Sequence, residues 1–243
     1  MIKGISIVMP CDKPRIPLLL TTLSFYMKFG IPENIEFILV SRTFNQLIVP
    51  GIDIKVMKYK WGGKYFNPSM AFNLGVKNAT YNNIIITSPE VTPITNVLKQ
   101  FNATKRGNYV CLVYDVGENG QSRGILVNSK HRHEDPSFYF LAMFKKEDLE
   151  KINGWDEEYM NGYAWEDRDF GARFVKAGLK FESRDDITAA HQYHRRLMTT
   201  IHAVKDASGY TDTRTGWVLN ETLFNTNRAA FAKKGLTWVE NDT

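Results

Sequence analysis

Four short apolar runs set at helix-length intervals constrain this chain most: Gly4–Met9 (GISIVM), Ile35–Val40 (IEFILV), Asp53–Lys58 and Ile84–Thr87 (IIIT). Each is rich in β-branched residues and too short for a helix, so each reads as a strand buried on both faces. Between the first two, Pro14–Phe29 has helical periodicity and is closed by Gly30. Between the last two, Asn67-Pro68-Ser69 opens a helix with an N-cap and an early proline. Strands that alternate with helices in this way predict an α/β fold with a mostly parallel central sheet flanked by helices. In such sheets ligands bind beyond the carboxyl ends of the strands, which here means Pro10–Lys13, Ser41-Arg42 and Lys58–Lys64.

At 243 residues the chain can bury one large core. The longest apolar runs, Ile35–Val40 and Phe138–Phe144, fall far short of a bilayer span, and Met1–Gly4 leads directly into the first strand with no secretory pattern. The expectation is a cytoplasmic protein without a transmembrane segment. Cys11 and Cys111 lack metal-ligand spacing and read as free thiols. The net charge of +5 arises within residues 1–120, a bias that suits a phosphate-bearing ligand, an anionic surface or simple solubility.

Further along, Tyr109–Val116 and Arg123–Asn128 read as strands joined through the turn Gly117–Gly120, Phe138–Phe144 as another, and Leu179–Phe181 and Ile187–Ala190 as short ones. Three stretches carry chemistry. Met57–Ser69 alternates lysines with aromatics around Gly62-Gly63, which fits nucleic-acid binding, a loop closing over a nucleotide, or a solvated loop. His131–Asp135 holds metal-capable side chains in a polar connection, where a solvated loop is the simpler reading. Trp165-Glu166-Asp167 opens a helix running to Gly178. Acids on a first turn are favoured by the helix dipole alone. Beside an aromatic ring they also form a corner that binds a sugar and accepts a proton from a hydroxyl.

Taken together, the proline-ended first strand, the A-x-N-x-G-x-x-x-A helix from Ala71 to Ala79, Ser88-Pro89-Glu90 after an apolar strand, Gly154-Trp155-Asp156-Glu157 and Trp165-Glu166-Asp167 resemble a GT-A glycosyltransferase. The N-terminal half is similar to family 2 enzymes and the C-terminal half to galactosyltransferases. The resemblance implies a Rossmann-like GT-A domain, with residues 1–92 binding the nucleotide sugar and residues 93–243 the acceptor. It also marks a departure, since most relatives carry Asp-x-Asp where this chain has Ser88-Pro89-Glu90, closer to the Asn-Pro-Asp variant of some members.

The site so implied is a hexosyltransferase's. Pro10, Asp12, Arg42, Asn73, Glu90 and Arg195 contact the donor, a UDP-sugar first among them; Glu90 and His191 hold Mn²⁺ or Mg²⁺, with His194 in reserve. Trp155, Asp156 and Trp165 line the acceptor, which is a glycan, a lipid-linked sugar or a protein. Asp167 is the general base of an inverting transfer, and Glu166 binds hydroxyls. Without a metal, Arg195 and Arg196 would offset the charge of the departing diphosphate. Nucleic acid is not an expected partner. The alternative is a non-catalytic GT-A-like module that binds a sugar or a protein.

Overall fold

The computed structural model describes residues 4–60, 67–127, 140–194 and 218–226. Its first half is the expected α/β unit. Strand β1 (Ile5–Pro10) pairs in parallel with β2 (Ile35–Ser41), β2 with β3 (Ile54–Lys58), and β1 on its other side with β4 (Asn83–Thr87). All six residues of β1 are buried, as its unbroken apolar sequence requires. Helix α1 (Ile16–Phe29) follows a short 3₁₀ turn at Lys13–Arg15 and ends where Gly30 takes φ 82°.

Helix α2 (Ser69–Lys77) lies tightly against the sheet through Gly75. A Cβ there would stand 2.3 Å from Val8 Cγ1, so only glycine permits this approach. Asn67 caps the helix, its Oδ1 accepting from the Ser69 N–H at 3.0 Å.

The second half extends the same sheet with mixed pairing. Strand β5 (Val91–Pro93) and helix α3 (Val97–Asn102) precede β6 (Tyr109–Val116), which pairs antiparallel with β7 (Ser122–Val127). Strand β8 (Leu141–Lys145) runs antiparallel between β4 and β6. After helices α4 (Lys146–Lys151) and α5 (Glu166–Lys176) comes β9 (Glu182–His191), parallel to β6 and antiparallel to β5. The order across the sheet is β3-β2-β1-β4-β8-β6-β9-β5, with β7 paired to β6.

The expected strand at Leu179–Phe181 is absent, since pairing begins at Glu182, where the N–H bonds the Asn108 carbonyl at 2.9 Å. The charged run Glu182–Asp186 extends along β6 while its side chains stay largely in water, so its sequence resembles a loop.

An aromatic cluster joins α2, β8 and α5. Trp155 is fully buried and stacks on Phe170 at 4.3 Å with 6° between planes; Phe72 packs beside it, and Phe170 and Phe174 meet Phe144 edge-on. Among the described residues no helix is long and apolar enough to cross a membrane. Cys11 and Cys111 are free and buried.

Candidate functional site

The carboxyl edge of the parallel strands gathers two of the expected groups. Asp12, just after β1, meets Arg42, just after β2. The Asp12 carboxylate accepts from the Arg42 backbone N–H at 2.9 Å and from its Nε at 2.7 Å, and forms an ion pair with the guanidinium. Ser41 Oγ donates to Asp12 as well, at 3.3 Å. Little of this pair is exposed, so it braces the junction between the first two strand ends. Pro10 ends β1 at full burial. Burial, with the charges of Glu90 and Asp12 nearby, pushes the Cys11 thiol up to about 12 and leaves it unreactive.

Glu90 lies immediately before β5, and register carries it to the end of β9: Val91 pairs with His191, and the Gln192 N–H bonds the Glu90 carbonyl at 2.8 Å. Asp115 on β6 stands opposite the same histidine. His191 Nδ1 is 3.2 Å from Asp115 Oδ1. A carboxylate only accepts, so Nδ1 carries the proton and Nε2 presents its lone pair on the other side of the ring. That Nε2 is 3.3 Å from His194 Nε2 and 3.9 Å from Glu90 Oε1, and His194 Nε2 is 3.6 Å from the same oxygen.

These three atoms fit a divalent ion. Donors about 2.1 Å from a common centre stand about 3.0–3.4 Å apart, so small side-chain movements would close the set. Among the described residues Glu90, His191 and His194 are the group so placed. His194 therefore joins the cluster that the sequence gives to Glu90 and His191.

The acidic corner sits on a different element. The backbone enters α5 through two consecutive left-handed residues, Ala164 at φ 58° and Trp165 at φ 74°. Neither side chain favours that region, and such geometry persists only where surroundings enforce it. Asn220 does so, donating to the Ala164 carbonyl at 2.7 Å and the Tyr159 carbonyl at 2.8 Å. Arg168 lies over the Trp165 ring at 4.7 Å, and Phe224 flanks it at 5.2 Å.

Glu166 turns inward and accepts from Asn67 Nδ2 at 2.8 Å, while Asp167 is half-buried. Burial first, and then the neighbouring Asp167 charge, raise the Glu166 carboxyl well above the usual carboxylate range.

Three expected contacts have other work. The resemblance places Trp155 at the acceptor, but its ring is sealed in the core and presents no face. Asp156 is 2% exposed and caps the turn Glu157–Asn161 through the Glu158 N–H. Asn73 bonds the Trp155 N–H and carbonyl and the Glu157 carboxylate, each at 2.8 Å. Its Oδ1 would stand 2.3 Å from any Cβ on Gly154, which explains the glycine before Trp155. Asn73 and the Gly-Trp-Asp-Glu stretch thus clamp α2 to the turn below the acidic corner.

Arg195 and Arg196, the His131–Asp135 run, most of the Lys58–Lys64 loop and Thr199–Trp217 lie outside the described residues. Sequence reasoning misses Asp115 and Asn220, and it gives Asn67 its N-cap place without the bond to Glu166. Asp115 leaves a trace as an acid within an otherwise apolar strand.

Residues 140–202 match the family model for the N-terminal domain of galactosyltransferase. No curated protein sequence matches the chain. Among solved structures, the catalytic domain of Drosophila beta1,4galactosyltransferase 7, in complex with xylobiose, is similar at TM-score 0.55 and 16% identity, over 80% of this chain and 72% of that one. Residues 1–349 of S. aureus TarS in complex with UDP align at TM-score 0.61 and 14% identity, over 78% of this chain and 60% of that one. The mannosyltransferase PcManGT of Pyrobaculum calidifontis, in complex with GDP-Man and Mn²⁺, aligns at TM-score 0.54 and 14% identity, over 95% of this chain and 64% of that one. The chain therefore spans less than two thirds of the TarS and PcManGT chains. Its fold is that of the GT-A glycosyltransferases, with a galactosyltransferase-like C-terminal half.

Proposed function

We propose that this chain transfers a sugar from a nucleoside diphosphate sugar, a UDP-sugar first among them, to a hydroxyl of a glycan, lipid-linked or protein acceptor. The observation that supports this reading best is the convergence of Glu90, His191 and His194 beyond the strand ends of a GT-A frame. These residues would hold a divalent ion such as the Mn²⁺ present in the PcManGT complex. When bound, the ion would offset charge developing on the leaving diphosphate.

The remaining roles belong to the side chains. Asp167, on the first turn of α5, is the general base that takes the proton of the attacking hydroxyl, in a transfer that inverts the anomeric carbon. Glu166 is buried and its carboxyl is held toward the protonated form, so it can donate as well as accept hydrogen bonds to sugar hydroxyls. Trp165 and its left-handed backbone fix the direction in which both acids leave the helix.

The test is release of nucleoside diphosphate from a panel of UDP-, GDP-, CDP- and dTDP-sugars with mixed glycan acceptors and Mn²⁺. One donor should be consumed, and Asp167→Asn should slow the reaction about 10²–10⁴-fold. Tight nucleotide binding without turnover of any donor would favour a non-catalytic binding module instead.

A further inference from the structure

Resting on the reading of Glu90, His191 and His194 as a metal site, we propose that Asp115 is its positioning residue, and that the site it builds selects an imidazole-preferring transition ion over Mg²⁺. The pairing of β6 with β9 puts Asp115 directly opposite His191, 76 residues away in sequence. The carboxylate accepts from the Nδ1–H, with nitrogen and oxygen 3.2 Å apart, and so fixes both tautomer and ring direction. Phe140 closes the ring from the side, edge-on at 5.3 Å.

His191 is thereby committed to pointing an unprotonated Nε2 at His194 and Glu90. Lone pairs at 3.3–3.9 Å repel unless a cation or a proton lies between them. A carboxylate hydrogen-bonded to the far nitrogen also raises the basicity of the ligating one.

Two imidazole nitrogens and a single carboxylate oxygen are a poor set for Mg²⁺, which favours oxygen and retains its waters. They suit first-row transition ions, with Co²⁺ bound more tightly than Mn²⁺. Ser88, two residues before Glu90, adds no anionic oxygen to shift that balance.

The experiment strips the full-length protein of metal and titrates it with Co²⁺ followed by visible absorption, with Mn²⁺ followed by spin resonance, and with Mg²⁺ as competitor. Wild type should take one ion, Co²⁺ before Mn²⁺, with Mg²⁺ weaker than Mn²⁺ by about tenfold or more. Asp115→Ala should weaken Co²⁺ about 10–100-fold and alter its absorption bands, and Asp115→Asn, which keeps an acceptor without the charge, should fall between. Should Asp115→Ala not fold, Asp115→Asn carries the comparison.

Unchanged affinity and spectrum in the folded variant would overturn the inference, as would equal binding of Mg²⁺ and Co²⁺, or no ion binding to wild type. UDP binding in EDTA and donor turnover, measured on the same samples, separate this failure from that of sugar transfer. Turnover without a bound ion would end the metal inference and leave the transferase standing.

Discussion

Asn67 joins the starts of two helices by donating its amide hydrogen to Glu166 Oε2 at 2.8 Å while its carbonyl oxygen caps Ser69. One side chain therefore sets both the entry to α2 and the direction of a buried carboxyl at the acidic corner. Asn67→Ala should cost about 1–3 kcal/mol of stability, because the Glu166 oxygen loses its buried donor. Urea unfolding of the variant measures this; a loss within error of zero would mean the bond is not maintained in solution.

Buried acids give stability a distinct pH dependence. Asp156, desolvated in its turn, is raised to about 7, and Glu166 is raised in the same direction. A carboxyl whose folded pKa exceeds its unfolded value costs nothing below the unfolded value, near 4, and progressively destabilises the fold as pH rises through the folded value. The unfolding free energy should therefore drop between about pH 4 and pH 8, and Asp156→Asn should reduce that drop by about 1–4 kcal/mol. A wild-type profile that is flat, or that rises across this range, would contradict the assignment.

Trp155 should tolerate an aromatic replacement but not the loss of its ring. Trp155→Ala removes a core ring stacked on Phe170 and should cost about 3–5 kcal/mol, whereas Trp155→Phe should fold and retain nucleotide binding. Thermal unfolding with and without UDP separates these outcomes.

Gly75→Ala should destabilise by about 1–3 kcal/mol despite the better helix propensity of alanine, because its methyl meets Val8. Gly75→Ala with Val8→Ala should lose less than the sum of the two single losses, because the smaller side chain makes room for the methyl. Denaturant midpoints of the single and double variants test this coupling.

The first half of the fold was legible because β1, β2 and β4 are buried on both faces and write that burial as continuous apolar sequence. Strand β9 was only half legible. Its first residues pair with β6 through the backbone while Glu182, Asp185 and Asp186 remain in water, so their side chains carry no strand signal. In the Glu90–His191–His194 cluster, the resemblance to glycosyltransferases points to Glu90 and His191. It does not point to Asp115, whose role follows from strand register between distant segments. The contrast between Trp155 and Trp165 was equally hidden. Both sit in acidic, glycine-containing sequence, and only packing sends one into the core and leaves the other, wedged between Arg168 and Phe224, at the turn into α5.

On the proposed function, this frame binds a nucleoside diphosphate through an ion held by Glu90, His191 and His194. The most direct measurement is thermal stability with UDP, GDP, CDP and dTDP, each with Mn²⁺ and with EDTA, for wild type and His191→Ala. A ligand at about 100 times its dissociation constant stabilises the fold by about 2.7 kcal/mol. One diphosphate should give such a shift with Mn²⁺, lose it in EDTA, and lose it in His191→Ala. The absence of a shift with any nucleotide would contradict nucleotide binding at this site.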